Sequence, residues 1–176
     1  FAQSNAMKAS YELEKYYEAV IFADKVLQNE KIENSVKSDA QIIIARSAMK
    51  TGDKNKAKDA YAEVLKIATG KLAAEALYYD AYFKNKSEQF KASNESIQLL
   101  AKEYAGYKYF GAKGLVLMAK NFYKLNDAFQ ATYILESVIK NFEDYPDIIE
   151  EATSELAIVK SEQAKTNDSI DIEEKK

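Results

Sequence analysis

The sequence predicts an all-α chain: an α-solenoid of about four helix-turn-helix repeats closed by a C-terminal capping helix. Three observations carry this. Apolar residues recur at helical spacing from end to end, while one proline and five glycines in 176 residues are too few for a many-turned β fold. The content of Ala, Lys, Glu and Leu favours helix. A small residue also returns at a nearly fixed interval, with Ala19, Ala57, Ser93 and Ala131 separated by 38, 36 and 38 residues. A helix pair recurring near that period marks a stacked array, because one pair cannot bury its apolar face alone.

The first repeat (1–33) opens with a helix over 1–13, with Ala2, Ala6, Ala9 and Leu13 at near-helical spacing. Its partner, about 15–30, carries Phe22, Ala23, Val26 and Leu27. After a polar connection at 31–36, the second repeat (34–70) has a helix over 37–50 with Ile42, Ile43, Ile44, Ala45 and Ala48. Gly52 suits a left-handed helix end and Asp53 the next N-cap. The helix that follows holds Ala57, Ala60, Tyr61, Val64 and Leu65 and ends at Gly70. In the third repeat (71–107) a helix from near Leu72 carries Ala76, Leu77, Ala81 and Phe83. Ser87 suits the cap of its partner, which carries Phe90, Ile97, Leu100 and Ala101; 104–110 reads as an aromatic-rich turn. In the fourth (108–145), Leu115, Met118, Ala119 and Phe122 face Phe129, Ala131, Leu135, Val138 and Ile139 across Leu125-Asn126-Asp127. Asp127 suits an N-cap, and the small Ala119 and Ala131 suit a close helix approach. Pro146 fits the first turn of the capping helix, 146–165, whose stripe is Ile149, Ala152, Leu156 and Val159. These elements form one domain over 1–165; 166–176 is a charged tail.

The repeat has further marks. Seven residues after each small position stand Val26, Val64, Leu100 and Val138, followed by Leu27, Leu65, Ala101 and Ile139. Three residues before it stand Tyr16, Lys54, Phe90 and Ala128. With this period, the segments EKYYEAV, TGDKNKA and LNDAFQA resemble the tetratricopeptide repeat, whose usual length is about 34 residues. PDIIEEATSELAIVKSEQ resembles the helix that closes such an array. The resemblance covers about 1–165. It departs from the family in lacking repeat-end prolines, in having Ser93 as the third small residue, and in carrying two to four extra residues per repeat. The glycine between paired helices occurs only at Gly52, with Glu14, Glu88 and Asn126 elsewhere. Extended repeats of this kind resemble those of bacterial envelope proteins, including Tol–Pal-associated and barrel-assembly lipoproteins. The resemblance therefore implies the periplasm or envelope, with the cytoplasm left open. Phe1 falls inside a helical pattern, which suggests a piece of a longer protein, and Ser4-Asn5-Ala6-Met7 resembles a cloning scar before a start methionine.

Composition removes several chemistries. A net charge of −3 argues against a nucleic-acid partner, which usually meets a basic face. With no cysteine and no histidine there are no disulfides, no thiolate chemistry, no common zinc site and no imidazole base. No run approaches the roughly 18 apolar residues of a membrane span. Glu150-Glu151 and Glu173-Glu174 are adjacent on a helix and diverge, as on a solvated face. Asp168, Asp171 and Glu173 lack the spacing and glycine of a calcium loop. Gly106, Gly111 and Gly114 are followed by no Gly-Lys-Ser/Thr, so they form no phosphate loop; Gly114 suits close helix packing. No metal or cofactor is expected. Among thirteen tyrosines, Tyr61 and Tyr133 read as structural, whereas Tyr78, Tyr79 and Tyr82 cannot share one face.

The resemblance implies a concave groove lined by the first helix of each pair. Carried across residue by residue, its positions are Ser4, Lys8, Tyr11 and Glu12; Asp39, Ile42, Arg46, Met49 and Lys50; Glu75, Tyr78, Tyr82, Asn85 and Lys86; and Lys113, Val116, Lys120, Tyr123 and Lys124. Basic residues outnumber acidic ones there seven to three. The expectation is a non-catalytic scaffold for a protein or peptide with acidic side chains or a free C-terminal carboxylate. The lysines and Arg46 would act as charged donors, and Tyr11, Tyr78, Tyr82 and Tyr123 as flat apolar contacts. Two rivals stand beside it. One is an assembly module packing only onto preceding repeats of its own parent chain. The other is a small-ligand or enzymatic helical pocket using Tyr, Lys and carboxylates.

Overall fold

The computed structural model describes residues 2–29 and 31–173, with side chains as far as Lys165. Among the described residues there are nine helices and no strand. They are α1 (Ala2–Glu12), α2 (Tyr16–Leu27), α3 (Asn34–Thr51), α4 (Lys54–Ile67), α5 (Gly70–Lys86), α6 (Phe90–Glu103), α7 (Lys108–Lys124), α8 (Ala128–Asn141) and α9 (Pro146–Glu173). The chain is an all-α array in which sequence neighbours pack on one another. It divides into two compact units, 1–80 and 81–176, with the boundary inside α5. In the first unit α1 packs on α2, α2 on α3 and α3 on α4, and α1 also touches α3. In the second, α6 packs on α7, α7 on α8 and α8 on α9, and α9 also reaches α7.

The four small positions set the pairing. Ala19, Ala57, Ser93 and Ala131 are all 0% exposed, and Val26, Val64, Leu100 and Val138 are buried with them. Five residues ahead of each small residue the backbone turns left-handed: Glu14 at φ 59°, Gly52 at 84°, Glu88 at 59° and Asn126 at 64°. In three of these turns the next amide reaches back five residues to close the helix end: Lys15 N–H to Ser10 O (2.8 Å), Gln89 N–H to Lys84 O (2.9 Å) and Asp127 N–H to Phe122 O (2.9 Å). This is the Schellman closure, which glycine favours because it has no Cβ. Asp53 and Asp127 then cap α4 and α8, accepting from Lys56 N–H at 3.1 Å and Gln130 N–H at 3.0 Å. Gly114 serves helix approach: a Cβ there would lie 3.1 Å from Ile97 Cγ2 on α6.

Several sequence expectations are corrected. Helix α3 starts at Asn34, not 37. Gly70 opens α5 at φ 61° instead of ending α4, which stops at Ile67. Ser87 belongs to the end of α5, donating its amide to Phe83 O, and Gln89 precedes α6 with no side-chain cap. The aromatic turn is shorter than 104–110, because Lys108 already begins α7. On α1 the buried residues are Met7 and Ser10, while Ala2, Ala9 and Leu13 are exposed; Met7 has more surface to hide than any alanine. On α9, Ile148 rather than Ile149 shares the buried face with Ala152 and Val159, since adjacent helical residues diverge by about 100°. Phe129 and Tyr133 are exposed, each two residues and about 200° from the buried Ala131. Ala101 is exposed as well. The tail expected at 166–176 is helical backbone as far as Glu173; 174–176 and Glu30, where α2 was expected to end, lie outside the described residues.

Leu135 sits in the core of the second unit with Val116, Ala119, Val138, Ile148 and Ala152. Leu135→Ala should lower unfolding free energy by about 2–5 kcal/mol in a urea titration, as for other packed leucines. Glu88 is exposed and held left-handed. Glu88→Gly should therefore raise stability by about 1 kcal/mol, whereas Glu88→Gln should leave it unchanged.

Candidate functional site

The first helices of the pairs are α1, α3, α5 and α7. Under the repeat intervals, Lys8, Arg46, Tyr82 and Lys120 occupy one position. Asp39, Glu75, Lys113 and Glu151 occupy another, 31, 29, 31 and 31 residues further on. In three of these four rows a base on one first helix meets an acid on the next. Lys8 Nζ lies 2.5 Å from Asp39 Oδ2. Arg46 grips Glu75 through Nε (2.8 Å) and Nη2 (2.5 Å). Lys120 lies 2.7 Å from Glu151 and 3.0 Å from Glu155, so α9 stands where another first helix would. The third row holds Tyr82 and Lys113, with Lys86 Nζ 5.3 Å from the Tyr82 ring centre and Lys113 Nζ 5.7 Å from that of Tyr109.

The first-unit cleft, about 290 Å³, is lined by Lys8, Tyr11, Glu12, Asp39, Ile42, Ile43, Arg46 and Leu72. At its edge Glu75 is buried, and Tyr61 donates to it at 3.1 Å. Tyr61 stacks on Tyr79 at 4.1 Å, and Tyr79 meets Tyr78 edge-on at 5.1 Å. The Glu75 hydrogen bonds push the Arg46 pKa up against the opposing effect of burial. Burial, then the Glu75 charge, push the Tyr61 pKa up, so Tyr61 stays a phenol that donates. Burial raises Tyr11 too, with Arg46 opposing. Neither phenol is shifted toward phenolate.

In the second unit, burial works against the charge of Lys120, but its hydrogen bonds to Glu151 and Glu155 outweigh it and raise its pKa. Tyr123 donates to Glu162, and Tyr109 donates to Asp147 at 2.9 Å, so α9 is fastened to α7 along its length. A buried amide network ties α6, α7 and the end of α5. Asn121 donates to Ser93 Oγ (2.9 Å) and Asn94 Oδ1 (2.7 Å) and accepts from Asn85 (2.7 Å), while Ser93 donates to Ala81 O (2.8 Å).

The expected groove residues thus separate into three kinds. Ile42, Glu75, Tyr78 and Val116 are buried and offer no open surface. Lys8, Arg46 and Lys120 hold acids of their own chain, so the seven-to-three balance is not that of the open surface. Lys50, Lys86 and Lys124 are exposed, and Tyr11, Tyr82 and Tyr123 are half-buried. The partners Glu151, Glu155, Glu162 and Asp147 were missed; a base-to-acid spacing of 29–31 residues was the signal for the first of them. Among the described residues no acidic cluster could hold a metal ion, and no helix is long and apolar enough to cross a membrane. Comparison with protein-family models finds no match, and none is found among curated proteins.

The rows differ in burial, which sets their worth. The Arg46 and Glu75 side chains are 32% and 6% exposed, against 52% and 38% for Lys8 and Asp39. Glu75→Gln should cost about 2–4 kcal/mol, because it leaves a guanidinium and the Tyr61 hydroxyl without a carboxylate. Asp39→Asn should cost under about 1 kcal/mol. Equal losses in parallel denaturant titrations would show that burial does not rank the rows.

Proposed function

We propose that this chain is a non-catalytic protein- or peptide-binding scaffold of tetratricopeptide-repeat type, and that it contacts acidic segments through the C-terminal ends of its first helices. One observation supports this. Lys50, Lys86 and Lys124 share one repeat position, 36 and 38 residues apart, in the last turns of α3, α5 and α7, and all three are exposed. The basic row one turn earlier is engaged within the chain at Lys8, Arg46 and Lys120. A lysine in a last turn also complements its helix dipole, an effect of about 0.3–1 kcal/mol. That favours a lysine somewhere in the turn, and not one position in register three times. The first repeat carries Glu12 there. Tyr82 and Tyr123 lie one turn and one residue, respectively, from Lys86 and Lys124, and supply flat apolar surface beside charge.

The partner class is an extended segment with several carboxylates, side-chain or C-terminal, drawn in by charge and weakened by salt. A labelled oligoglutamate peptide with a free C-terminus, followed by fluorescence anisotropy, should bind at low ionic strength and release as salt rises. Lys86→Glu with Lys124→Glu should weaken it at least about tenfold, a change of about 1.4 kcal/mol. Lys58→Glu with Lys91→Glu makes the same charge change on the second helices α4 and α6 and should weaken it far less. Equal weakening by the two pairs would mean that net charge alone attracts the peptide, and the proposal fails.

A further inference from the structure

The large apolar side chains left in solvent fall into a pattern. Leu13, Tyr17 and Ile21 are 68%, 76% and 55% exposed, and Leu125, Phe129 and Tyr133 are 36%, 77% and 66% exposed. Each member of the second set lies 112 residues after its counterpart, which is three repeat intervals. The two sets therefore hold the same positions in the first and fourth repeats. The second and third repeats hold Thr51, Asn55 and Asp59, and Ser87, Lys91 and Glu95 there. Packing within a helix pair does not demand apolar residues at these positions, since two of the four pairs do without them. Tyr17 and Ile21 on α2, and Phe129 and Tyr133 on α8, are each four residues apart and form a ridge along one helix face. Each set exposes on the order of 300–400 Å², the size at which an apolar patch on a monomer is often an interaction site.

We propose that the exposed face of α2 in one molecule docks on the exposed face of α8 in a second copy of this chain, so that copies associate head to tail. Charge selects this pairing. Glu14, Glu18 and Asp24 flank the Tyr17–Ile21 ridge, each three residues from one of its members, with the exposed Lys25 one turn beyond Ile21. The equivalent positions around Phe129 and Tyr133 are Asn126, Gln130 and Glu136, with Lys140 one turn beyond. Two α2 faces would bring three carboxylates against three, whereas α8 offers two amides, the single carboxylate of Glu136 and a lysine. Glu18 and Asp24 do have lysine partners, at 3.5 and 3.7 Å, but these pairs are exposed and compete weakly with a new contact. Pairing α8 with α8 would leave the α2 face in water, while the head-to-tail contact covers both. Ridges of four-residue spacing interdigitate when their helices cross at about 50°. A stable interface buries about 800 Å² per partner. Each ridge supplies about half of that, so the association is weak and concentration-dependent. A single heterologous contact leaves one α2 face and one α8 face open to further copies, whereas two reciprocal contacts would close a pair.

The test uses residues the repeat already tolerates. Tyr17→Asn with Ile21→Asp copies the second repeat, and Phe129→Lys with Tyr133→Glu copies the third. In sedimentation equilibrium from micromolar to millimolar protein, the intact chain should rise above the mass of a monomer. Each double variant alone should stay monomeric, with its helical circular dichroism unchanged. An equimolar mixture of the two variants keeps one intact α2 face and one intact α8 face. It should form one-to-one dimers and nothing larger. Three results would overturn the proposal. Either variant self-associating alone would point to a symmetric contact. A mixture that stays monomeric would remove the α2–α8 pairing. An intact chain that stays monomeric at the highest concentration would assign these faces to another partner.

Discussion

Each helix pair turns on a residue held left-handed, five positions before a side chain that has no room to be large. The left-handed residue stops the first helix and closes its end. In two pairs an aspartate cap, Asp53 or Asp127, then starts the second helix, and in all four the small residue lets the two backbones approach. The aliphatic residue two turns on then reaches the core. Glu14 and Glu88 occupy the left-handed position although an L residue with a Cβ costs about 1–2 kcal/mol there. That cost persists because any other turn would rotate the small residue out of the interface and expose the apolar stripe behind it. In the third pair the small side chain is Ser93, whose hydroxyl donates to Ala81 O and accepts from Asn121. A buried hydroxyl with both kinds of bond fixes register as well as distance.

The polar contacts between first helices form a second level. They are graded from the exposed Lys8–Asp39 pair to the bidentate, half-buried Arg46–Glu75 pair. Desolvation offsets much of the attraction in the buried pair, so its worth lies less in net stability than in the cost of any arrangement that leaves one partner alone. A slip of one helix turn would separate Arg46 from Glu75 and strand the Tyr61 hydroxyl. The Asn121 network exerts the same control in the second unit.

The part of the fold that could be read from sequence is the part that repeats in residue type. The small residues and the aliphatic residues seven positions on kept their chemistry through every repeat and are all buried, whereas the residues that follow the latter, Leu27, Leu65, Ala101 and Ile139, are not. The turns kept only their conformation. Gly52 announced one of them, while Glu14, Glu88 and Asn126 reach the same backbone region without a distinctive side chain. Helix faces were misread where the periodicity was weak or doubled: alanines on α1 carry little signal, and Ile148 and Ile149 offer two stripes one residue apart. Phe129 and Tyr133 were misread because an aromatic at near-helical spacing resembles core. For the site, the bases were visible, and so were Asp39 and Glu75, but their pairing was not, nor were the acids on α9. A pair 29–31 residues apart joins helices whose superposition is known only once the array is built.

Comparing the four pairs with each other separates two kinds of position. Where burial dictates the residue, the pairs agree: Ala, Ala, Ser, Ala at the close approach, and Val, Val, Leu, Val behind it. Where the side chain faces water, packing imposes nothing, and the pairs differ freely. A departure from free variation at an exposed position therefore has a cause outside the core. Lys50, Lys86 and Lys124 agree although nothing in packing requires it. Tyr17 and Phe129, and Ile21 and Tyr133, are alike in apolar character although burial would be the usual reason and they are not buried. The first kind of departure lies on the ends of first helices and is charged. The second lies on the faces of second helices and is apolar. The helix pair thus offers two separate exposed surfaces of different chemistry, and each can change while the left-handed turn and the small buried residue stay as they are.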